Sequence, residues 1–475
     1  MIHNKIDGLF KGILPDSRLE KRIEKVTLKM LTFGTSIVNR YSETHAERMG
    51  AYRALSNNRV KYTDLIKGLY KEVSVKQNYP HLLCIQDTSE INLSSHKDSF
   101  SKKDSHIGQL TKKGNIGFFC HPVLVVEPDQ QIPLGFSSIK LYNRPWEQKN
   151  KYERGYKSLD IKNKESYRWI SSVNKTKKVL SETPSLTIIG DRESDIFEEM
   201  VTVPNKKTNL LIRLSHNRNL YNNSKKLFEE LSDSPKQTEF VLLIRANRKR
   251  ENRQARIIVK YKKVKIQRPS KFSGKQYRAY VEMWAIEARE SQETTPENES
   301  PILWRLLTTH QIKSIEDAIT YIGWYKQRWL IEELFRVLKK QGLNIESSQL
   351  NTGNAVKKQT VLALHVALIS MALKLSMQRS QECPAEIIFD STQQDFLQIV
   401  NQEIEGKTSK QKNPYKANTL AWASWIIARL SGWSGYGTHG PPGYISMKRG
   451  LDVFYSKLSG YLIAIKYLKK DVYKE

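Results

Sequence analysis

The chain has 475 residues, 39% of them hydrophobic, with 78 Lys and Arg against 49 Asp and Glu, a formal charge of +29. That apolar share builds packed cores for two to four domains and is too small for a membrane protein, while the positive surplus asks for a polyanion such as DNA or RNA, a solubility surface or ribosome-associated role being the plainer reading. The three cysteines, Cys84, Cys120 and Cys383, form no CxxC pair, which fits a reducing compartment and argues against structural zinc.

In chain order, Asp16 or Ser17 is placed to cap a helix with Leu19, Ile23, Val26 and Met30 at helical spacing. Its other side carries Arg18, Lys21, Arg22, Lys25 and Lys29. The MIHNKIDGLF start lacks the pattern of a secretory signal. A second helix is predicted over 44–56. Small basic helical domains enter DNA grooves, although a basic face is often merely solvated.

Strands follow. HLLCIQD (81–87) is an apolar run ending in Asp87, and IGFFCHPVLVVE (116–127) and QIPLGFSSIKLY (131–142) read as antiparallel strands. His121 lies on the first of these and reads as structural. A helix fits KESYRWISSVNK (164–175). SLTIIGD (185–191) again ends an apolar run in aspartate, with a helix opening at SDIFEEM, and TNLLIRLS (208–215) is one more strand. This order predicts a mixed α/β sheet with at least one parallel pair.

Between 236 and 310, FVLLIR, ARIIVKYKKVKIQR and YRAYVEMWAIEA read as strands of a β-rich insertion. Residues 248–268 contain ten Lys or Arg and one acid, Glu251. Alternation at Lys263-Val264-Lys265-Ile266 puts the basic side chains on one strand face, to contact phosphates or to guard a sheet edge. ESQETTPENES (290–300) is a polar loop. One long helix is predicted from Ser314, with an Asp317 capping box, to Gln341, stopped by Gly342. The rest is mostly helical, including an apolar run over 361–375 too short for a membrane span, with the turn-rich GWSGYGTHGPPGY at 432–444.

Asp87 and Asp191 each end an apolar strand, and in open α/β sheets ligands collect beyond the carboxyl ends of strands. Alone, such an aspartate is more often a turn or cap residue. The helix at 314–341 adds Tyr325, Arg328, Glu332 and Lys339, spaced Y-x2-R-x3-E-x6-K. On one continuous helix these fall within an arc of about 60°, with Glu333 about 100° away. A solvated face stitched by the Arg328–Glu332 pair is the plainer reading. Together, however, two strand-end aspartates and a helical glutamate form a set of hard oxygen ligands. Such a set selects Mg²⁺ or Mn²⁺. Two such ions about 4 Å apart activate a water or a 3′-hydroxyl on a phosphodiester, a substrate that matches the charge. Arg328 and Lys339 are placed to hold its phosphates.

These residues resemble the DDE cut-and-paste DNA transposases of the bacterial insertion-sequence-four group. The resemblance runs over nearly the whole chain through DSRLEKR (16–22), GAYR (50–53), LLCIQDT (82–88), KESYRW (164–169), IIGDRESDI (188–196), LLIR (210–213), the Tyr325/Arg328/Glu332/Lys339 signature and WASWIIARLSGW (422–433). It implies an α/β fold: a ribonuclease-H-like mixed-sheet catalytic core with a β-rich insertion at about 220–305, flanked by helical N- and C-terminal domains. The expected divisions are 1–70 for DNA binding, 71–375 for catalysis and 376–475 for dimerisation.

The resemblance further implies that Asp87, Asp191 and Glu332 hold two Mg²⁺ ions, with Mn²⁺ as a substitute. The implied partners are double-stranded DNA, as transposon ends and target, and a second copy of the chain in a synaptic homodimer. The implied setting is the bacterial cytoplasm. The implied reaction is nicking, hairpin formation, hairpin opening and strand transfer. Trp304, in PILWRLL (301–307), matches a tryptophan that stacks on a base flipped near the hairpin; without the resemblance it reads as a core strand aromatic. Tyr325 and Arg328 brace the phosphates around it, and Arg22, Arg53 and Arg213 match DNA-contacting basic positions. Ser215 stands where a member of that family has a lysine, and Thr32-Phe33 where it has Lys-Tyr. An inactive end-binding inhibitor and a metal nuclease that cuts without joining are the alternative functions.

Overall fold

A computed structural model describes residues 6–74, 78–101, 103–146, 159–244, 251–270, 277–340, 342–379, 382–436 and 440–471. Arg245 and 248–250 of the basic insertion, Gln341 at the expected helix end, and 437–439 of the turn-rich segment lie outside them. The chain forms two compact units: one from 1–77, 88–148 and 330–475, the other from 78–87 and 149–329.

The first unit opens with α1 (Ser17–Phe33), which starts where the extended Asp16 accepts a hydrogen bond from the Arg18 amide at 2.8 Å. It ends at Gly34 in the left-handed conformation, the usual helix stop. Ile23, Val26 and Met30 are buried, while Arg18, Lys21, Arg22 and Lys25 are exposed. Next come α2 (Val38–Tyr41), α3 (His45–Ser56, capped by Thr44) and α4 (Tyr62–Ser74). After β1 (His81–Gln86), which belongs to the second unit, the first resumes with β2 (Ser89–Asn92), β3 (Gly108–Gln109), β4 (Ile116–Val126) and β5 (Pro133–Tyr142). β4 pairs antiparallel with β2, β3 and β5. Every β4 position is buried, so its run is continuously apolar rather than alternating. His121 is part of it, fully buried, with Nδ1 2.8 Å from the Thr88 hydroxyl.

The second unit continues with α5 (Tyr167–Val179), β6 (Ser185–Gly190), α6 (Phe197–Thr202), β7 (Thr208–Arg213) and α7 (Leu227–Ser232). Then come β8 (Thr238–Ile244), β9 (Arg253–Gln267), β10 (Tyr280–Glu290), β11 (Leu303–Thr308) and α8 (Ile315–Lys326). β1, β6 and β7 are parallel neighbours; β11 joins β7 antiparallel, and β10, β9 and β8 extend the sheet antiparallel beyond it. The insertion thus enlarges the core sheet through the β10–β11 pair. On β9, Val264 and Ile266 are buried and Lys263 and Lys265 exposed, the expected alternation. The fold is mixed α/β with a large mixed sheet, consistent with a ribonuclease-H-like core.

The single helix expected over 314–341 is two helices. The capping box at Ser314 and Asp317 is present, but α8 ends at Lys326 and α9 spans Trp329–Lys339. Between them the Gln327 and Arg328 amides bond to the carbonyls of Trp324 and Tyr325, each at 3.0 Å. These are three-residue steps, which tighten the helix and reset its faces. No Gly or Pro marks the break.

Beyond α9 the first unit adds α10 (Gly353–Arg379), α11 (Ser391–Ile404), α12 (Leu420–Leu430) and α13 (Tyr444–Asp471). At 27 residues α10 is about 40 Å long. It is long and apolar enough to cross a bilayer, yet 89% of its most apolar window is buried in the fold, as expected of a core helix.

Candidate active site

From His81 to Ile85, each β1 residue pairs with the β6 residue 104 positions later: His81 with Ser185, Leu83 with Thr187, Ile85 with Ile189. The same interval separates Asp87 from Asp191 (191 − 87 = 104). Asp191 is still extended, at φ −81° and ψ −162°, and the paired register runs to Ile85 with Ile189, two residues short of each aspartate. Neighbouring strands lie about 4.8 Å apart, and in-register side chains share a face.

Each carboxylate is already engaged. Asp87 accepts from Arg328 Nη1 at 3.3 Å, and both side chains are less than one-fifth exposed. Asp191 accepts from the Glu193 amide at 2.8 Å, capping the short turn Arg192–Ser194. Glu193 in turn pairs with Arg168 of α5 at 2.5 Å. Arg328, in the turn between α8 and α9, is therefore directed at Asp87.

Tyr325, in the last turn of α8, is buried. Its hydroxyl has no hydrogen bond of good geometry among the described residues. Burial raises its pKa, opposed by the positive charges of Arg328 and Arg213, with Asp191 adding to the rise. Arg213 closes β7, half-buried, and gives Nη2 to the Leu303 carbonyl at 3.0 Å. Burial lowers its pKa. Beyond it lies a cavity of about 390 Å³ lined by Arg192, Arg213, Leu242, Ile244, residues 301–303 and Trp304. Trp304 is only half-buried on β11, so it is a wall of this cavity rather than a core aromatic.

Glu332 and Lys339 lie on α9, whereas Tyr325 stands on α8 and Arg328 between the two helices. Glu332 is exposed whereas Glu333 is buried and accepts the Tyr444 hydroxyl at 2.9 Å. Lys339 sits 3.5 Å from Glu346. Arg22 on α1 and Arg53 on α3 are exposed. The basic face of α1 is partly neutralised, because Lys25 pairs with Glu47 at 2.9 Å and Lys29 with Glu43 and Glu47.

Residues 165–369 match the family model of the transposase DDE domain. The match supports a DDE transposase. It takes in Asp191, Arg213, Trp304, Tyr325, Arg328, Glu332 and Lys339, and begins after Asp87. Transposases act on DNA and, in the DDE group, generally use divalent metal ions. The donor chemistry of Asp87 and Asp191 fits such an ion: two hard carboxylates that follow neighbouring parallel strands, with Arg328 as a cation already drawn to one of them. Among the described residues no group of three or more His, Cys, Asp or Glu is gathered to hold a metal.

Two acids around this pair escaped sequence reasoning. Asp195 is buried and accepts from the Ser215 amide at 2.9 Å, the Ser215 hydroxyl at 3.1 Å and Arg218 Nε at 2.6 Å. Ser215, the position of the absent lysine, therefore fastens the turn after Asp191. Glu199 on α6 is fully buried, and burial pushes its pKa up to about 8. The available signal was the density of acids in DRESDIFEE (191–199), where not every carboxylate can face solvent.

Proposed function

We propose that this chain is a cut-and-paste DNA transposase of the insertion-sequence-four group, resembling the transposase of transposon five, with Asp87, Asp191 and Glu332 as its catalytic carboxylates. The observation that carries the reading is that Asp87 and Asp191 directly follow two parallel, neighbouring strands whose register interval equals their own. The three carboxylates would hold two Mg²⁺ ions, replaceable by Mn²⁺, which supply an activated water or 3′-hydroxyl and offset charge on the leaving oxygen.

The protein's own groups position the DNA. Arg328 balances Asp87 in the DNA-free state and transfers to a phosphate when DNA binds. Arg213 and Tyr325 brace the neighbouring backbone, and Lys339 holds a phosphate on the α9 side. Trp304 stacks on a base turned out into the adjoining cavity, where apolar walls and two arginines suit a flat ring beside a phosphate. Hydrolysis nicks one strand; the freed 3′-hydroxyl attacks the opposite strand to close a hairpin; water reopens it; the 3′-hydroxyl then joins target DNA.

In this reading residues 1–70 bind transposon ends through Arg22 and Arg53, 71–375 form the catalytic domain, and 376–475 join two copies in the synaptic complex. The exposed lysines of β9 contact phosphates, and the protein works in the bacterial cytoplasm. The test uses purified protein, labelled DNA carrying the element's own ends, and Mg²⁺ or EDTA. Metal-dependent nicks, hairpins and joined products are expected, and Asp191→Ala should abolish all three while still binding the ends. Cleavage without joining would identify a nuclease, and binding without cleavage an inhibitor.

A further inference from the structure

Glu199 touches the supports of both aspartates. Gln86 Nε2 donates to its Oε1 at 3.0 Å, and the Ser194 hydroxyl donates to its Oε2 at 2.8 Å. Gln86 directly precedes Asp87, and Ser194 lies in the turn that Asp191 caps. All three side chains are sealed, with Gln86, Ser194 and Glu199 each at 0% exposure.

Strand geometry explains the layer. Successive side chains on a strand point to opposite faces, so Gln86 goes inward where Asp87 goes outward. Continuing the β1–β6 register by one residue makes its counterpart Gly190, since 190 − 86 = 104. A side chain at Gly190 would begin 2.3 Å from the Ser194 hydroxyl. The missing Cβ lets the turn after Asp191 fold back beneath the strand ends and meet Glu199.

We propose that Glu199 is a positioning residue, whose carboxyl ties Gln86 to Ser194 and so fixes the spacing and aim of Asp87 and Asp191. This rests on the reading of those aspartates as catalytic. A neutral acid suits the place. Burial pushes its pKa up, opposed by the Ser194 and Gln86 hydrogen bonds, with Asp191 and Asp195 adding to the rise. The Gln86 amide oxygen is buried without a hydrogen-bond partner among the described residues.

Three variants test this: Glu199→Gln, Glu199→Leu and Ser194→Ala. Each is assayed for Mn²⁺ binding by the loss of the free-ion electron paramagnetic resonance signal, for nicking, and for binding of end DNA in EDTA. Glu199→Gln keeps a neutral hydrogen-bonding group and should match wild type. Glu199→Leu should lose about tenfold in both Mn²⁺ affinity and nicking, with metal-free DNA binding unchanged. Should Glu199→Leu fail to fold, Ser194→Ala decides, with a smaller loss in the same two readouts. Wild-type Mn²⁺ binding and nicking in Ser194→Ala and in any folded Glu199→Leu would overturn the proposal. If wild-type protein itself neither binds Mn²⁺ nor nicks, the catalytic reading fails instead.

Discussion

Arg328 Nη1 lies 3.3 Å from the Asp87 carboxylate across 241 positions of sequence. A guanidinium there competes with any cation that Asp87 would bind, and in the proposed reaction it also serves a phosphate. Arg328→Ala should therefore split two properties. Mn²⁺ binding to the DNA-free protein should tighten, while nicking slows about tenfold, the worth of a charge-assisted contact. Equal losses in both would mean that Arg328 only holds the fold.

The neighbouring glutamates of α9 should behave oppositely. Glu332→Gln changes an exposed group, so melting should stay within about 0.5 kcal/mol of wild type while cleavage is lost. Glu333→Ala removes the acceptor of the Tyr444 hydroxyl. It should cost about 1–3 kcal/mol of stability and leave cleavage per folded molecule near wild type. Denaturant melts with single-turnover nicking separate the two, and an exchange of phenotypes would transfer the catalytic role to Glu333.

Trp304→Ala should slow hairpin closure more than the first nick, because only the hairpin step requires a base to leave its stack. Quenched time courses resolving nicked and hairpin species would measure this. Equal slowing of both steps would reduce Trp304 to a packing residue.

His310 gives a prediction about pH. Its Nε2 sits 2.7 Å from the buried Thr187 hydroxyl, its ring stacks on Tyr321, and burial pulls its pKa down to about 3. Unfolded, it takes up a proton near pH 6.5. Between those values the unfolded state binds more protons, so stability is lost as pH falls from about 6.5 towards 3. His310→Gln should flatten that part of the melting profile. An unchanged slope would assign the acid sensitivity to other groups.

Much of this architecture was readable before the structure. The β1 and β6 runs ended where expected because a continuous apolar stretch stops at its first charge. The α1 start followed from the choice of Asp16 or Ser17 as cap, and Asp16 is the one whose side chain satisfies an amide that the helix leaves bare. The α8–α9 break was not readable: its residues are ordinary helix formers, and the interruption shows in three-residue hydrogen bonds and the Arg328–Asp87 pair, neither of which has a local signature. Glu199 was hidden for a related reason. A glutamate's burial depends on which partners the tertiary fold brings to it, here Gln86 from 113 positions away. The partial neutralisation of the basic α1 face was not readable either, since Glu43 and Glu47 are distant in sequence from the lysines they meet.

The agreement between the β1–β6 register and the Asp87–Asp191 interval has a consequence for how this gene tolerates change. Residues added at the β4–β5 turn near Asp129 would lengthen the interval and leave the strand pairing, and hence the carboxylate pair, where it is. One residue added inside β6 would rotate everything after it by half a strand repeat and aim Asp191 into the sheet's other side. Length between the two acids is free to drift; parity within the strands that deliver them is not.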